Sequence, residues 1–291
     1  MRRIGHLATL HKAGAFPGPR SADSLGAADG QGTHERNPVL RPGTVNIKSF
    51  VIHLERATGR RPQVDRLLAS LPGPAAVLPA VDGHRLADED LHGVTRRGLH
   101  RPHYPFAMSR SEVACFLSHR RAWRTIIDEG LDAAVIAEDD AAIAAPEFDD
   151  VMAAAVAGLE PDEFVRLPHR ERYEPGPVVR ERDGVRLVEP RLPALGMVMQ
   201  LVGREAARRL LDASTVFDRP IDSFMQMRWL HGARILTLRP IVVCEIGDQL
   251  GGSVIHARRP GFVHRVVHEL QRPLIRLAVH RANERWRRRA A

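Results

Sequence analysis

Apolar and polar positions along this chain alternate in two rhythms. Residues 47–54 form a short apolar run with the length of a buried strand. Between 60 and 71, Val64, Leu67 and Leu68 fall at helical spacing. Residues 75–81 read as a second strand, closed by the turn pair Asp82-Gly83. Residues 92–108 carry His, Arg and Pro without periodicity and read as a loop. A helix is predicted over 110–129. Ser109 and Glu112 have capping-box spacing, Val113, Phe116, Leu117, Trp123, Ile126 and Ile127 give the apolar face, and Gly130 ends it. Residues 133–137 are an apolar strand that stops at Glu138, Asp139 and Asp140.

The second half continues in shorter pieces. Residues 163–167, 178–182 and 185–188 read as strands, the last two joined by the hairpin turn Asp183-Gly184. An apolar stretch at 197–202 precedes a helix over 204–213. Asp218-Arg219-Pro220 opens another helix, with Pro near its first position. Strands at 235–238 and 241–243 close the body. The alternation predicts an α/β fold with a mostly parallel central sheet and helices on both faces.

The three acids are the first chemical signal. If the strand persists, Glu138 and Asp140 point to one side. Two carboxylates at the carboxyl end of a buried strand make a site for a hard divalent cation, Mg2+ or Mn2+. Open α/β sheets bind ligands at that edge.

Charge changes the picture at one end only. The net charge is +8, and residues 258–291 carry ten arginines and two glutamates, so the rest of the chain sums to zero. A neutral body and sparse aromatics argue against a nucleic-acid partner. In the tail, Phe262, Val263, Val266, Val267 and Leu270 have helical spacing, and Pro273 interrupts. Leu274, Ile275, Leu277 and Val279 follow, and Trp286 precedes three arginines. Two readings stay open: a basic amphipathic helix on an anionic membrane surface, or a helix packed on the domain. The expected organisation is a disordered leader over 1–45, a catalytic-sized domain over 46–257 and the basic tail over 258–291. No apolar run reaches the roughly 18 residues of a membrane span, and the N-terminus makes a poor signal peptide. Cys115 and Cys244 read as buried free thiols. The expected location is cytoplasmic, peripheral on the inner face of the membrane.

Several segments together resemble glycosyltransferase family 25, the lipooligosaccharide galactosyltransferase-like family. They are Phe50-Val51-Ile52-His53-Leu54-Glu55-Arg56 with Arg60-Arg61; Ala80-Val81-Asp82-Gly83; Ser111-Glu112-Val113-Ala114-Cys115-Phe116-Leu117-Ser118-His119; Val135 to Asp140; and Arg219-Pro220-Ile221-Asp222, Trp229 and Leu238-Arg239-Pro240. The resemblance runs from about residue 46 to 256. The chain departs from the pattern at Ser111, usually Gly; at Met197-Val198-Met199-Gln200, where a Tyr is frequent; and at Glu245, where Gln is expected.

The resemblance implies a GT-A-like fold, a UDP-sugar donor, a divalent cation and inversion at the sugar carbon. The hexose, such as galactose, would pass to a lipooligosaccharide or another envelope glycan or glycolipid. Glu138 and Asp140 would hold the metal, and Asp139 would share it or hold the donor ribose. Asp222 matches the Pro-x-Asp motif and is the expected base for the acceptor hydroxyl. Glu112 is either a capping residue or a catalytic one. Arg56 suits the diphosphate, Asp82 is a turn residue or a donor contact, and His119 is a core histidine or a cleft ligand. His256 is a later metal or phosphate contact. Two rivals remain, a metal-dependent phosphohydrolase and a non-catalytic envelope- or nucleic-acid-binding protein.

Overall fold

The computed structural model describes residues 45–251 and the backbone of 262–290; within that last segment, side chains are described at residue 271 and at 273–289. The expected leader, except for its last residue, and His256 lie outside the described residues.

The first half builds β1 (Ile47–His53), α1 (Arg61–Ser70), β2 (Ala75–Pro79), α2 (Asp88–Val94), α3 (Arg110–Asp128) and β3 (Ala133–Glu138). Next come β4 (Ala141–Ile143), α4 (Phe148–Ala157), β5 (Glu163–Leu167), β6 (Val178–Arg182), β7 (Val185–Val188), β8 (Met199–Gly203) and α5 (Arg204–Ala213). The chain ends with α6 (Ile221–Met225), α7 (Arg228–His231), β9 (Arg234–Arg239), β10 (Val243–Glu245) and α8 (Phe262–Ala290). Eight strands form one sheet in the order β2-β1-β3-β8-β5-β9-β7-β6, and β10 pairs with β4 separately.

The sheet is mixed rather than mostly parallel. Strands β2, β1 and β3 run parallel, as do β5 and β9. Strand β8 enters antiparallel to both β3 and β5, and β7 is antiparallel to β9 and β6. An apolar run reads the same in either direction, so its pattern cannot fix the sense of a strand.

Strand alternation divides the core between two faces, and helices cover both. Phe50, Ile52, Ala134, Ile136, Phe164, Val202 and Ile235 pack with Phe116, Trp123 and Ile126 of α3 and Leu210 of α5. Val51, Val135, Ala137, Val165, Leu201 and Leu236 pack with Val64 and Leu67 of α1 and Val151 and Met152 of α4. Strands buried on both faces read as unbroken apolar runs, which is why 133–137 shows no alternation.

Helix α4 was not expected, although Phe148, Val151, Met152 and Ala155 have the spacing of a buried helical face and all are buried. Helix α2 occupies the start of the stretch read as loop. Asp218 does not cap the following helix, whose N-cap is Pro220. It instead accepts from Arg219 Nε (2.7 Å) and from the His100 N–H (2.9 Å), tying the 96–108 loop to the body. Helix α8 runs through Pro273, where an interruption was expected. A proline removes one donor, and the turns on either side keep their own hydrogen bonds.

Parallel pairing decides where chemistry gathers. Ile52 lies beside Leu78 and Glu138, and His53 beside Pro79. The carboxyl ends of β1, β2 and β3 therefore open at one edge.

Candidate active site

A cleft at that edge is lined by Leu54, Arg56, Arg60, His119, Glu138 and Asp140, with further residues from α3. It encloses about 690 Å³ of space, its open mouth included. Helix α3 contributes Ser111, Ala114, Cys115, Ser118 and His119, a stripe of small and polar side chains at helical spacing. Its start is fixed by a complete capping box, in which Glu112 Oε2 accepts from the Ser109 N–H at 2.7 Å. The turn after β2 packs against that start. A Cβ on Gly83 would meet the Arg110 carbonyl oxygen at 2.9 Å, so only glycine fits there.

The three acids separate. Strand β3 ends at Glu138, and a turn at Asp139-Asp140 breaks the alternation. Glu138 keeps the direction of Ile136, toward α3, and its Oε1 lies 3.1 Å from His119 Nε2. Asp139 is buried, with Oδ2 2.8 Å from His53 Nδ1 and Oδ1 accepting from Arg60. Arg60 also reaches Asp140 Oδ2 at 3.3 Å. Asp140 Oδ1 is buried without a hydrogen-bond partner. Burial pushes the Asp140 carboxyl up to about 7, with Glu138 adding to the rise and Arg60 opposing it.

Asp222, 82 residues later than Asp140, comes back to the same acids. Burial raises its carboxyl above the ordinary range; the Ser223 N–H (2.6 Å) pulls it back, and the charges of Glu112 and Glu138 push it further up. The Cys115 thiol is driven up by burial first, then by Glu138, Asp222, Asp140 and Glu112. The structure thus brings Glu112, Glu138, Asp140 and Asp222 within charge reach of Cys115, and Glu112 and Glu138 within charge reach of Asp222.

Two predicted residues sit at the rim. Arg56 lines the cleft and its Nε donates to Asp82 Oδ2 at 3.1 Å. Asp82 also accepts from the His84 N–H at 3.0 Å. Burial raises its carboxyl, but His84 and Arg56 more than offset this and hold it below the usual range. Asp82 is therefore both a turn residue and the anchor of Arg56.

Sequence reasoning missed His53, Arg60 as a partner of the acids, and Gln200. Gln200 is buried in β8, with Nε2 3.2 Å from His119 Nδ1 and Oε1 without a partner. A glutamine inside an apolar strand was the available signal, and it stands where the chain departs from the family pattern.

Residues 46–182 match the family described as glycosyltransferase family 25 (LPS biosynthesis protein). A Drosophila melanogaster protein named glycosyltransferase 25 family member is 36% identical over 94 residues, 31% of this chain and 15% of that protein. Procollagen galactosyltransferase 2 of Homo sapiens is 32% identical over 94 residues, again 31% and 15% of the two chains. A Rattus norvegicus protein named probable inactive glycosyltransferase 25 family member 3 is 33% identical over 111 residues, 37% of this chain and 19% of that protein. The chain matches less than a fifth of the length of these curated relatives. Asp222 and α8 lie beyond the residues matched by the family. Through residues 46–182, where the acid-ended strand and the α3 stripe form one cleft, the chain is similar to glycosyltransferase family 25.

Proposed function

We propose that the cleft binds a UDP-sugar and transfers its hexose, with inversion, to an envelope glycan or glycolipid. The observation that carries the reading is the convergence of Glu138, Asp140 and Asp222 beside Arg56 and Arg60 at the carboxyl edge of a domain similar to family 25. The relatives' names point to galactose as the hexose, and the family description points to an envelope acceptor.

The donor set fits a divalent cation. Asp140 has a buried oxygen without a hydrogen-bond partner and a carboxyl raised by burial and by Glu138, and a bound cation would satisfy both. Glu138 and Asp140 would hold Mn2+ or Mg2+, which when bound would neutralise charge on the departing nucleoside diphosphate. Arg60, fixed by Asp139, and Arg56, fixed by Asp82, set two guanidinium groups at the cleft for the diphosphate. Leu54, Ala80 and Val81 offer an apolar wall for a flat base. Asp222, with its raised carboxyl, takes the proton from the acceptor hydroxyl. Glu112 serves the cap that positions α3.

Calorimetric titration with UDP, with and without manganese, tests this. Binding that requires manganese and disappears in Asp140→Ala is the expected result. Absence of UDP binding under both conditions would remove the donor reading and favour the phosphohydrolase.

A membrane surface suits the exposed face of α8. Val279, Asn283 and Trp286 turn toward the body, and Asn283 Nδ2 donates to the Gln226 carbonyl at 2.9 Å. On the opposite stripe, Leu274 and Leu277 are 67% and 45% exposed, and Arg281, Arg285 and Arg288 follow in line. Leucines beside arginines match an anionic bilayer. No described helix is long and apolar enough to cross one. Sedimentation with anionic vesicles should fall in Leu274→Ser/Leu277→Ser; unchanged binding by that variant would end the proposal.

A further inference from the structure

The cleft contains a second donor set, of softer character than the paired acids. Cys115 and His119 stand one turn apart on the same face of α3. Glu138 approaches them from the end of β3. One atom from each, Cys115 Sγ, a His119 ring nitrogen and a Glu138 oxygen, lie within 4.8 Å of one another. No other three His, Cys, Asp or Glu side chains come together this way among the described residues.

The spacing is that of metal ligands before they close on an ion. A tetrahedral zinc at about 2.0–2.3 Å from each donor separates those donors by roughly 3.3–3.8 Å. The Glu138 oxygen lies 3.1 Å from His119 Nε2 and 4.0 Å from Cys115 Sγ, on either side of that range. Small rotamer adjustments would bring all three into it.

A second observation comes from the other side of the imidazole. Metal-bound histidines carry a proton on the distal nitrogen and donate it to a fixed acceptor. His119 Nδ1 faces the buried amide of Gln200. An amide can present either its nitrogen or its oxygen to a ring nitrogen. Turned over, Gln200 accepts from Nδ1–H through Oε1, the atom that otherwise has no partner. Nε2 then carries a lone pair toward a carboxylate oxygen. A proton or a metal cation between them relieves the repulsion, and the metal is the reading the Cys115 sulfur favours.

We propose that Cys115, His119 and Glu138 form a zinc site whose fourth position opens into the cleft. Three protein ligands and an open position are the pattern of zinc sites that act on a bound molecule. Thiolate and imidazole select zinc over magnesium or manganese, which prefer oxygen. On binding, the Cys115 S–H bond gives its proton to solvent as the S–Zn bond forms. The site shares Glu138 with the proposed donor site but takes its other two ligands, Cys115 and His119, from α3 rather than Asp140, so either can fail alone.

Cobalt titration of the chelator-stripped full chain is the test. The expected spectrum shows thiolate-to-cobalt charge transfer and tetrahedral visible bands at one equivalent, displaced by zinc. Cys115→Ser abolishes the charge-transfer band; Cys244→Ser and Asp140→Ala keep it. Gln200→Leu weakens cobalt binding about 10–100-fold. A wild-type spectrum without a thiolate band, or a band lost in Cys244→Ser instead, overturns the proposal. Manganese-dependent UDP binding without the cobalt band would leave the donor reading standing and remove the zinc site. The band without UDP binding would do the reverse.

Discussion

Arg60 and Asp139 form a buried ion pair that joins the start of α1 to the end of β3. Arg60 also reaches Asp140 at 3.3 Å, so one guanidinium serves two adjacent acids. Removing it leaves buried carboxylates uncompensated. Arg60→Met should cost roughly 3–5 kcal/mol in urea unfolding. The double variant with Asp139→Asn should recover part of that loss. Additive losses would show that the two side chains do not act as a pair.

Asp222, whose carboxyl is raised by burial and by the charges of Glu112 and Glu138, is the proposed base. Asp222→Asn should lower turnover by about 10²–10⁴-fold and leave UDP affinity unchanged. Turnover within a few-fold of wild type would exclude the role.

Ser109 and Glu112 share the first turn of α3. Ser109→Ala should cost about 1 kcal/mol through the lost cap. If Glu112 acts only as a cap, Glu112→Gln should retain turnover, because an amide oxygen still accepts from the Ser109 N–H. Full stability with lost turnover in Glu112→Gln would instead place Glu112 in the chemistry.

Glu189 ties α8 to the body. It accepts from Arg228 of α7, Arg234 Nε of β9 (3.2 Å) and Arg287 of α8 (3.0 Å). Burial alone would raise its carboxyl, but hydrogen bonds from Arg228 and Arg287 and the charge of Arg234 bring it to about 2. The folded value lies below the ordinary 4.5, so this contribution is fully present above pH 4.5 and is lost as pH falls through about 2. Glu189→Gln should lose roughly 3 kcal/mol at neutral pH and expose α8 to limited proteolysis. An unchanged cleavage pattern would show that α8 is held by its apolar contacts.

His231 is buried against Phe224, and its Nδ1 accepts from the Ala233 N–H at 3.1 Å. Burial pulls the imidazole down to about 4, with the Met225 carbonyl opposing and Arg228 adding to the fall. The unfolded chain takes up this proton near 6.5 and the native chain near 4. Between those values the unfolded state binds more protons, so stability rises with pH and falls on acidification. The total is on the order of 3 kcal/mol. Urea titrations at pH 7.5, 6 and 5 should show this slope in wild type. His231→Asn should remove it, and a slope that persists would assign it to other groups.

The local elements were legible because their signals lie within a few residues. The α3 capping box, the Asp183-Gly184 hairpin and the apolar strand before Glu138 each depend on neighbours in sequence. The presence of helices on both faces also followed from the chain, since strands buried on both sides must be apolar throughout. Strand direction did not follow. Strand β8 runs antiparallel between β3 and β5, and its own residues carry no mark of that sense. The separation of Glu138 from Asp139 depends on where β3 stops, which pairing with β1 and β8 sets. The partners of those acids come from distant segments. His53 and Arg60 reach Asp139 across roughly 80 residues of chain, and Gln200 reaches His119 across 81. Sequence by itself determined which side chains could bind cations, anions and protons. Only the tertiary structure decided which of them share a charge, because Coulomb and hydrogen-bond energies depend on separation in space and on exclusion of water, and chain order fixes neither.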